Sequence, residues 1–238
     1  NRARYSFNGS PLAVNAWYEL GQSDAAGNVG SGGAFIDAST EEQIISAEFI
    51  KDRLIVYFER STWELVYTGN QVYTFVWQKI NTELGSQSTF STVPFDKDVL
   101  TIGQTGVHAC NGANVARIDD QIPNTVFEFE LDNNAFLRTV GIRDYYSEMV
   151  YWTYVDDLQT PTQTFPNQVL VYNYQNKSWA RNDDCITMFG YFEQSEDLTW
   201  AGSDPIQWNE SNFDWSSNVI QANHRVILMG TPEGFVLV

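Results

Sequence analysis

Apolar residues along this chain fall in short runs rather than in helical stripes. Four runs stand out: Leu54–Phe58 (LIVYF), Val99–Ile102 (VLTI), Met149–Tyr154 (MVYWTY) and Val226–Met229 (VILM). Tyr, Trp, Phe, Val, Ile and Thr dominate such runs, and Gly, Asn, Asp, Ser or Pro bound them, which is the composition of strands between turns. A strand with one wet face alternates apolar and polar residues. These mostly do not, so they are expected to be covered on both faces. A parallel sheet would cover them but needs crossover helices. Helix signals are few, so stacked antiparallel sheets are favoured. The exception is Val76, Ile80 and Leu84, spaced i, i+4, i+8 ahead of Gly85. They suit one face of a short helix, although the pattern also permits an extended segment.

Three of the runs continue alike. Arg53–Leu65, Asp98–Ala109 and Arg225–Leu237 each read as strand, short turn, strand, and glycines flank the second and third turns (Gly103 and Gly106, Gly230 and Gly234). Glycine permits the positive φ of a tight hairpin. The run from Met149 pairs instead across a longer loop with Asn167–Tyr172, turns at Asn176 and Lys177, and returns from Trp179. Successive runs start 45 residues apart (Leu54 to Val99), then 50 (to Met149), then 77 (to Val226). The last gap is read as two units, with a further strand near Ile186–Phe189. An antiparallel unit recurring every 40–50 residues or roughly so is the sequence sign of a β-propeller. The fold class expected is therefore all-β, a propeller of about five blades, incomplete or a fragment; the alternative is a β-sandwich. Residues 1–33 are expected to form an N-terminal segment ending in an exposed Gly-rich loop (Gly27–Gly33), and residues 34–238 the propeller domain. The chain starts NRARYSF, without Met or an apolar leader, and stops at Val238 inside a strand pattern. No signal peptide is expected. Either the N-terminal segment closes the ring or part of the natural chain is absent.

Charge narrows the partners. Lys plus Arg number 13 against 30 Asp plus Glu, a net charge of −17. Such a surface repels phosphate backbones and anionic membranes, so tight nucleic-acid binding is not expected. No apolar run approaches the length of a membrane span.

Candidate chemistry is sparse. Cys110 and Cys185 lie 75 positions apart, too few cysteines for a disulfide scaffold. One bridge is open to them; two buried thiols are the simpler expectation. His108 and Cys110, two apart on a strand, share a face, but two ligands do not make a zinc site, and a structural pair is expected. His224 and Cys185 could meet only through tertiary placement. There is no G-x-S-x-G elbow and no phosphate-binding loop. Leu131–Asn134 places calcium-type ligands in a row but lacks the EF-hand glycine and terminal glutamate, so a plain turn is expected. No catalytic, cofactor-binding or metal-binding residue is assigned, and no cofactor is expected. Among the thirty carboxylates, Asp37, Asp144, Glu148 and Asp156 are the candidates for a glycosidase pair. Solvated loop carboxylates are the plainer reading. Trp63, Trp77, Trp152 and Trp179 suit sugar rings by chemistry but core positions by context.

Several stretches carry a resemblance. Arg53–Leu65, Phe75–Trp77 with Ile80-Asn81 and Leu84-Gly85, Ser88–Ser91, Val99–Val107 with Asn111-Gly112 and Arg117-Ile118, Val169–Ala180, and the RVILMGTPEG hairpin are similar to tailed-bacteriophage structural proteins. The set resembles the β-propeller proteins of the tail tube, nozzle or hub of short-tailed phages. The resemblance implies a non-enzymatic virion protein, made in the host cytoplasm and located in the phage tail. It implies a homo-oligomeric ring near the head–tail junction, touching other tail or portal and adaptor proteins. The acidic channel would pass genome DNA during ejection without gripping it. The alternative function is a propeller glycoside hydrolase or carbohydrate-binding module.

Overall fold

A computed structural model of the chain describes residues 1–7, 11–23, 25–70, 73–125, 132–156, 165–193 and 225–238. His224 and Leu131 lie outside them. The fold is all-β and built of several small antiparallel sheets, none of them closed. β1 (Arg2–Tyr5) pairs with β2 (Ala34–Asp37). β3 (Ile44–Ile50), β4 (Arg53–Phe58), β5 (Thr62–Tyr67) and β6 (Phe75–Asn81) form a four-stranded meander. β7 (Val93–Pro94), β8 (Val99–Gly103), β9 (Gly106–Cys110) and β10 (Val115–Arg117) form a second. β11 (Gly141–Asp144), β12 (Met149–Tyr154), β13 (Gln168–Asn173) and β14 (Trp179–Asn182) form a third. β15 (Met188–Glu193), β16 (Arg225–Gly230) and β17 (Val236–Leu237) make a three-stranded sheet. Two short 3-10 helices, Val14–Trp17 and Asp132–Arg138, are the described helical segments.

The hairpins form where the sequence places them, and local chemistry shows why. Gly106 takes φ 151° as the first residue of β9, and Gly234 takes φ 88° between β16 and β17. Lys177 takes φ 61° in the β13–β14 turn, where Asn173 Oδ1 accepts the N–H groups of Gln175 (3.0 Å) and Asn176 (3.1 Å). That side-chain cap is the ordinary role of Asn in a turn.

Two expectations about segments are corrected. Val76, Ile80 and Leu84 do not share a helical face, because Phe75–Asn81 is strand β6, hydrogen-bonded to β5 with a bulge opposite Thr62 and Trp63. Pairing to an otherwise open edge supplies backbone partners that an isolated two-turn helix would lack. The strand expected near Ile186–Phe189 is present as β15, but it pairs directly with β16, so the 77-residue interval from Met149 to Val226 joins two neighbouring sheets rather than spanning two units.

The Gly27–Gly33 stretch is also not exposed throughout. Gly30 and Gly33 are buried, and the N–H groups of Gly32 and Gly33 both donate to the Tyr18 carbonyl (3.2 and 2.9 Å). A Cβ on either buried glycine would overlap the backbone of residues 16–19. The glycines serve close backbone approach, not linker freedom.

The described residues form two compact units, Asn1–Gln87 with Pro94–Arg117, and Ser88–Val93 with Ile118–Val238. In the first, β4 is buried on both sides by simple alternation. Ile55 and Tyr57 pack with Val99, Cys110 and Val115. Val56 and Phe58 pack on the opposite face with Ala38 and Trp63, and Leu54, Leu65 and Trp77 join them. Each fully buried side chain of this size contributes about 1.5–3 kcal/mol. Phe58, Trp63 and Trp77 meet at centroid distances of 5.8–6.4 Å, two of the three pairs edge-on. Arg53 forks onto the nearly buried Glu64 carboxylate (2.7 and 2.5 Å) and donates to the Gly112 carbonyl (2.5 Å). The bond to Glu64 holds the Arg53 guanidinium above its ordinary pKa. In the second unit, Trp152 is fully buried, donates Nε1–H to the Ser91 carbonyl (2.8 Å) and stacks on Trp179 (6.3 Å). Met149 and Tyr151 point from the same strand to the other face, beside Val169, Val171 and Ile186.

Candidate functional site

The four carboxylates singled out from the sequence do not converge. Asp37 belongs to the first unit, where Arg2 forks onto it at 2.7 and 2.8 Å. That hydrogen bond lowers its pKa. Asp144 and Glu148 sit together at the β11–β12 turn, whereas Asp156 follows the far end of β12. A six-residue strand separates them, about 17 Å at strand rise, well beyond the carboxylate spacing of a glycosidase. Asp156 is buried, with its N–H donating to Asn167 Oδ1 (2.8 Å).

His108 and Cys110 are structural neighbours in the first unit. His108 is buried, with Nδ1 3.3 Å from the Gly85 carbonyl and Nε2 3.2 Å from Thr105 Oγ1. A carbonyl only accepts, so the Nδ1 that faces Gly85 carries a proton. No group of three or more His, Cys, Asp or Glu gathers as a metal site among the described residues. Both cysteines are free thiols, but the expectation that both are buried is corrected: Cys110 is buried and Cys185 is exposed. Cys185 lies in the segment between β14 and β15. Burial pushes the Cys110 thiol above its usual range, which slows reaction through the thiolate. We therefore expect biphasic labelling of the native chain by a thiol reagent, with the fast phase removed by Cys185→Ser. A single phase of two equivalents would contradict this.

The four tryptophans divide between the cores. Trp63 and Trp152 are buried, and Trp77 and Trp179 half-buried, so none offers an open platform.

A concavity lies in the second unit, lined by residues of the β11–β14 meander and the β15–β17 sheet. It is a cleft of about 580 Å³. Its apolar lining includes Tyr151 from β12, Val169 from β13, Ile186, and Ile227 and Met229 from β16. Its polar lining is Asp144, Tyr146, Asn182, Asp184 and Arg225. The β11–β12 turn positions the first two. Asp144 Oδ1 accepts the N–H groups of Tyr146 (2.9 Å) and Ser147 (3.2 Å), and Glu148 takes the left-handed φ of 56° that closes the turn. Tyr146 is consequently thrust outward, 78% exposed. Burial raises the Tyr151 pKa, and the Asp144 charge adds to the rise. Its hydroxyl stays protonated, 3.5 Å from Met149 Sδ.

A ladder of rings and cations stands beside the cleft. Arg143 lies over Tyr145 (4.5 Å) and Tyr174 (4.9 Å), the Tyr191 hydroxyl donates to the Arg143 carbonyl (2.5 Å), and Arg225 lies over Tyr191 (5.8 Å). Of the cleft residues, sequence reading had selected only Asp144. Asp184 and Arg225 are 41 positions apart, on either side of the β15–β16 connection, and nothing local marks them as neighbours.

Neither a protein-family model nor a curated protein matches the chain. No described helix is long and apolar enough to cross a membrane.

Proposed function

We propose that this chain is a non-enzymatic structural subunit of a bacteriophage tail, a β-propeller that assembles into a ring near the head–tail junction. The observation that carries the architectural half is the recurrence of the sheets. First strands begin at Ile44, Val93, Gly141 and Met188, intervals of 49, 48 and 47 residues, and three of these sheets are complete four-stranded meanders in chain order. That is the length and topology of a propeller blade. The two-sided burial of β4 supports the same reading. In a simple sandwich the outer face of each sheet meets solvent.

The tail assignment draws on the resemblance of the hairpins and on charge. With a net charge of −17, a ring of such subunits surrounds its axis with carboxylates and lets DNA slide past. Exposed aromatic side chains such as Tyr67, Tyr73 and Phe90 provide material for subunit contacts.

Negative-stain electron microscopy of the purified chain, alone and mixed with tail and portal proteins, tests this reading. Rings, or incorporation into tails, are expected. A stable monomer that joins no particle overturns it. Retardation of duplex DNA at moderate salt would count against the acidic channel.

A further inference from the structure

We infer that the cleft between the β11–β14 and β15–β17 sheets binds a neutral oligosaccharide. This stands independently of the tail reading, because it rests on the walls of one cleft within one unit.

The volume, about 580 Å³, is that of a small-molecule site. Its chemistry is two-sided. Tyr151, Val169, Ile186 and Ile227 offer an apolar surface to the C–H face of a pyranose, and the exposed Tyr146 adds an aromatic ring to the lining. Opposite in character are Asp144, Asn182, Asp184 and Arg225, which together accept and donate hydrogen bonds. Sugar hydroxyls, each both donor and acceptor on a ring with an apolar face, fit that combination. A purely hydrophobic ligand would displace water from the Asp184 carboxylate and the Asn182 amide without replacing its hydrogen bonds.

Position and charge narrow the class further. Asp144 has one oxygen held by the turn N–H groups, so the carboxylate is pre-oriented before any ligand arrives, and Oδ2 remains to accept. Arg225 is the single cation against two carboxylates in the lining. In a chain of net charge −17, that balance disfavours anionic glycans. The site is read as binding rather than cleaving, because Asp144 has one oxygen committed to the turn and Glu148 and Asp156 are not in the lining.

Calorimetric titration of the full chain with cellotetraose, maltotetraose, chitotetraose and a galactose tetramer tests the inference. At least one is expected to bind, with Tyr146→Ala and Asp184→Asn each weakening it about tenfold, the scale of one lost stacking or charged hydrogen-bond contact. Phe49→Ala, at an exposed ring of the first unit, is expected to leave binding unchanged. Tyr146 and Asp184 are both exposed, and a circular dichroism melt of each variant checks that it stays folded. No binding by any tetramer at millimolar concentration overturns the inference. So does binding that both cleft variants leave intact, a preference for a sulfated or sialylated glycan, or hydrolysis of the bound tetramer that Asp184→Asn abolishes.

Discussion

Replacing Gly85 with Ala is expected to lower the stability of the first unit by about 3 kcal/mol or more. A Cβ at this position would overlap the Phe58 carbonyl oxygen and lie 2.6 Å from the Arg60 nitrogen. Both are backbone atoms, so no side chain can rotate away. The backbone is itself pinned: Ser86 donates to the same Phe58 carbonyl (2.9 Å), and the Gly85 carbonyl receives His108 Nδ1–H (3.3 Å). Relief would break bonds to two strands at once. Gly69→Ala is the control, because Gly69 has φ 70° and open space around it, so that variant carries only the left-handed strain of about 1–2 kcal/mol. Urea titration followed by circular dichroism separates them. Equal midpoints for the two variants would remove the steric argument.

Trp152→Ala is expected to cost the second unit about 3–5 kcal/mol. The indole is fully buried, stacks on Trp179 and lies against Gly141, where a Cβ would meet Trp152 Nε1 at 2.5 Å. Trp152→Phe restores most of the volume but leaves the Ser91 carbonyl without its donor, and is expected to cost about 1–3 kcal/mol. The order Ala, then Phe, then the parent chain should appear in the denaturation midpoints. If Phe were as damaging as Ala, the hydrogen bond rather than the packing would dominate.

Much of the strand layout is legible in the chain because its causes are local. The β4–β5, β8–β9 and β16–β17 hairpins follow from apolar runs broken by short turns. The longer pairing of Met149–Tyr154 with Gln168–Asn173, and the return from Trp179, also lie where the runs place them. Val76, Ile80 and Leu84 mislead because a period of four residues is compatible with both helix and strand in a short segment. Their state depends on the open edge of β5. Gly30 and Gly33 mislead differently. A Gly-rich run signals freedom when solvated and close approach when packed, and the neighbour that decides, the backbone of residues 16–19, is not visible in the run itself.

The same division holds at the cleft. Asp144 was legible as a candidate, but its side chain caps a turn, and Glu148 supplies the left-handed residue of that turn. Tyr146, Asn182, Asp184 and Arg225 were not legible, since they gather only when β15 skips residues 194–224 to pair with β16.

Alternation, turn residues and charge sum along the chain, so the amino-acid sequence by itself determined an all-β fold, its main hairpins and its acidity. Which strands share a sheet at long range, which glycines touch backbone, which thiol is hidden and which polar groups line the cleft were decided by the tertiary structure. Those outcomes depend on contacts between residues tens of positions apart, and such contacts are set by packing and loop closure rather than by local propensity.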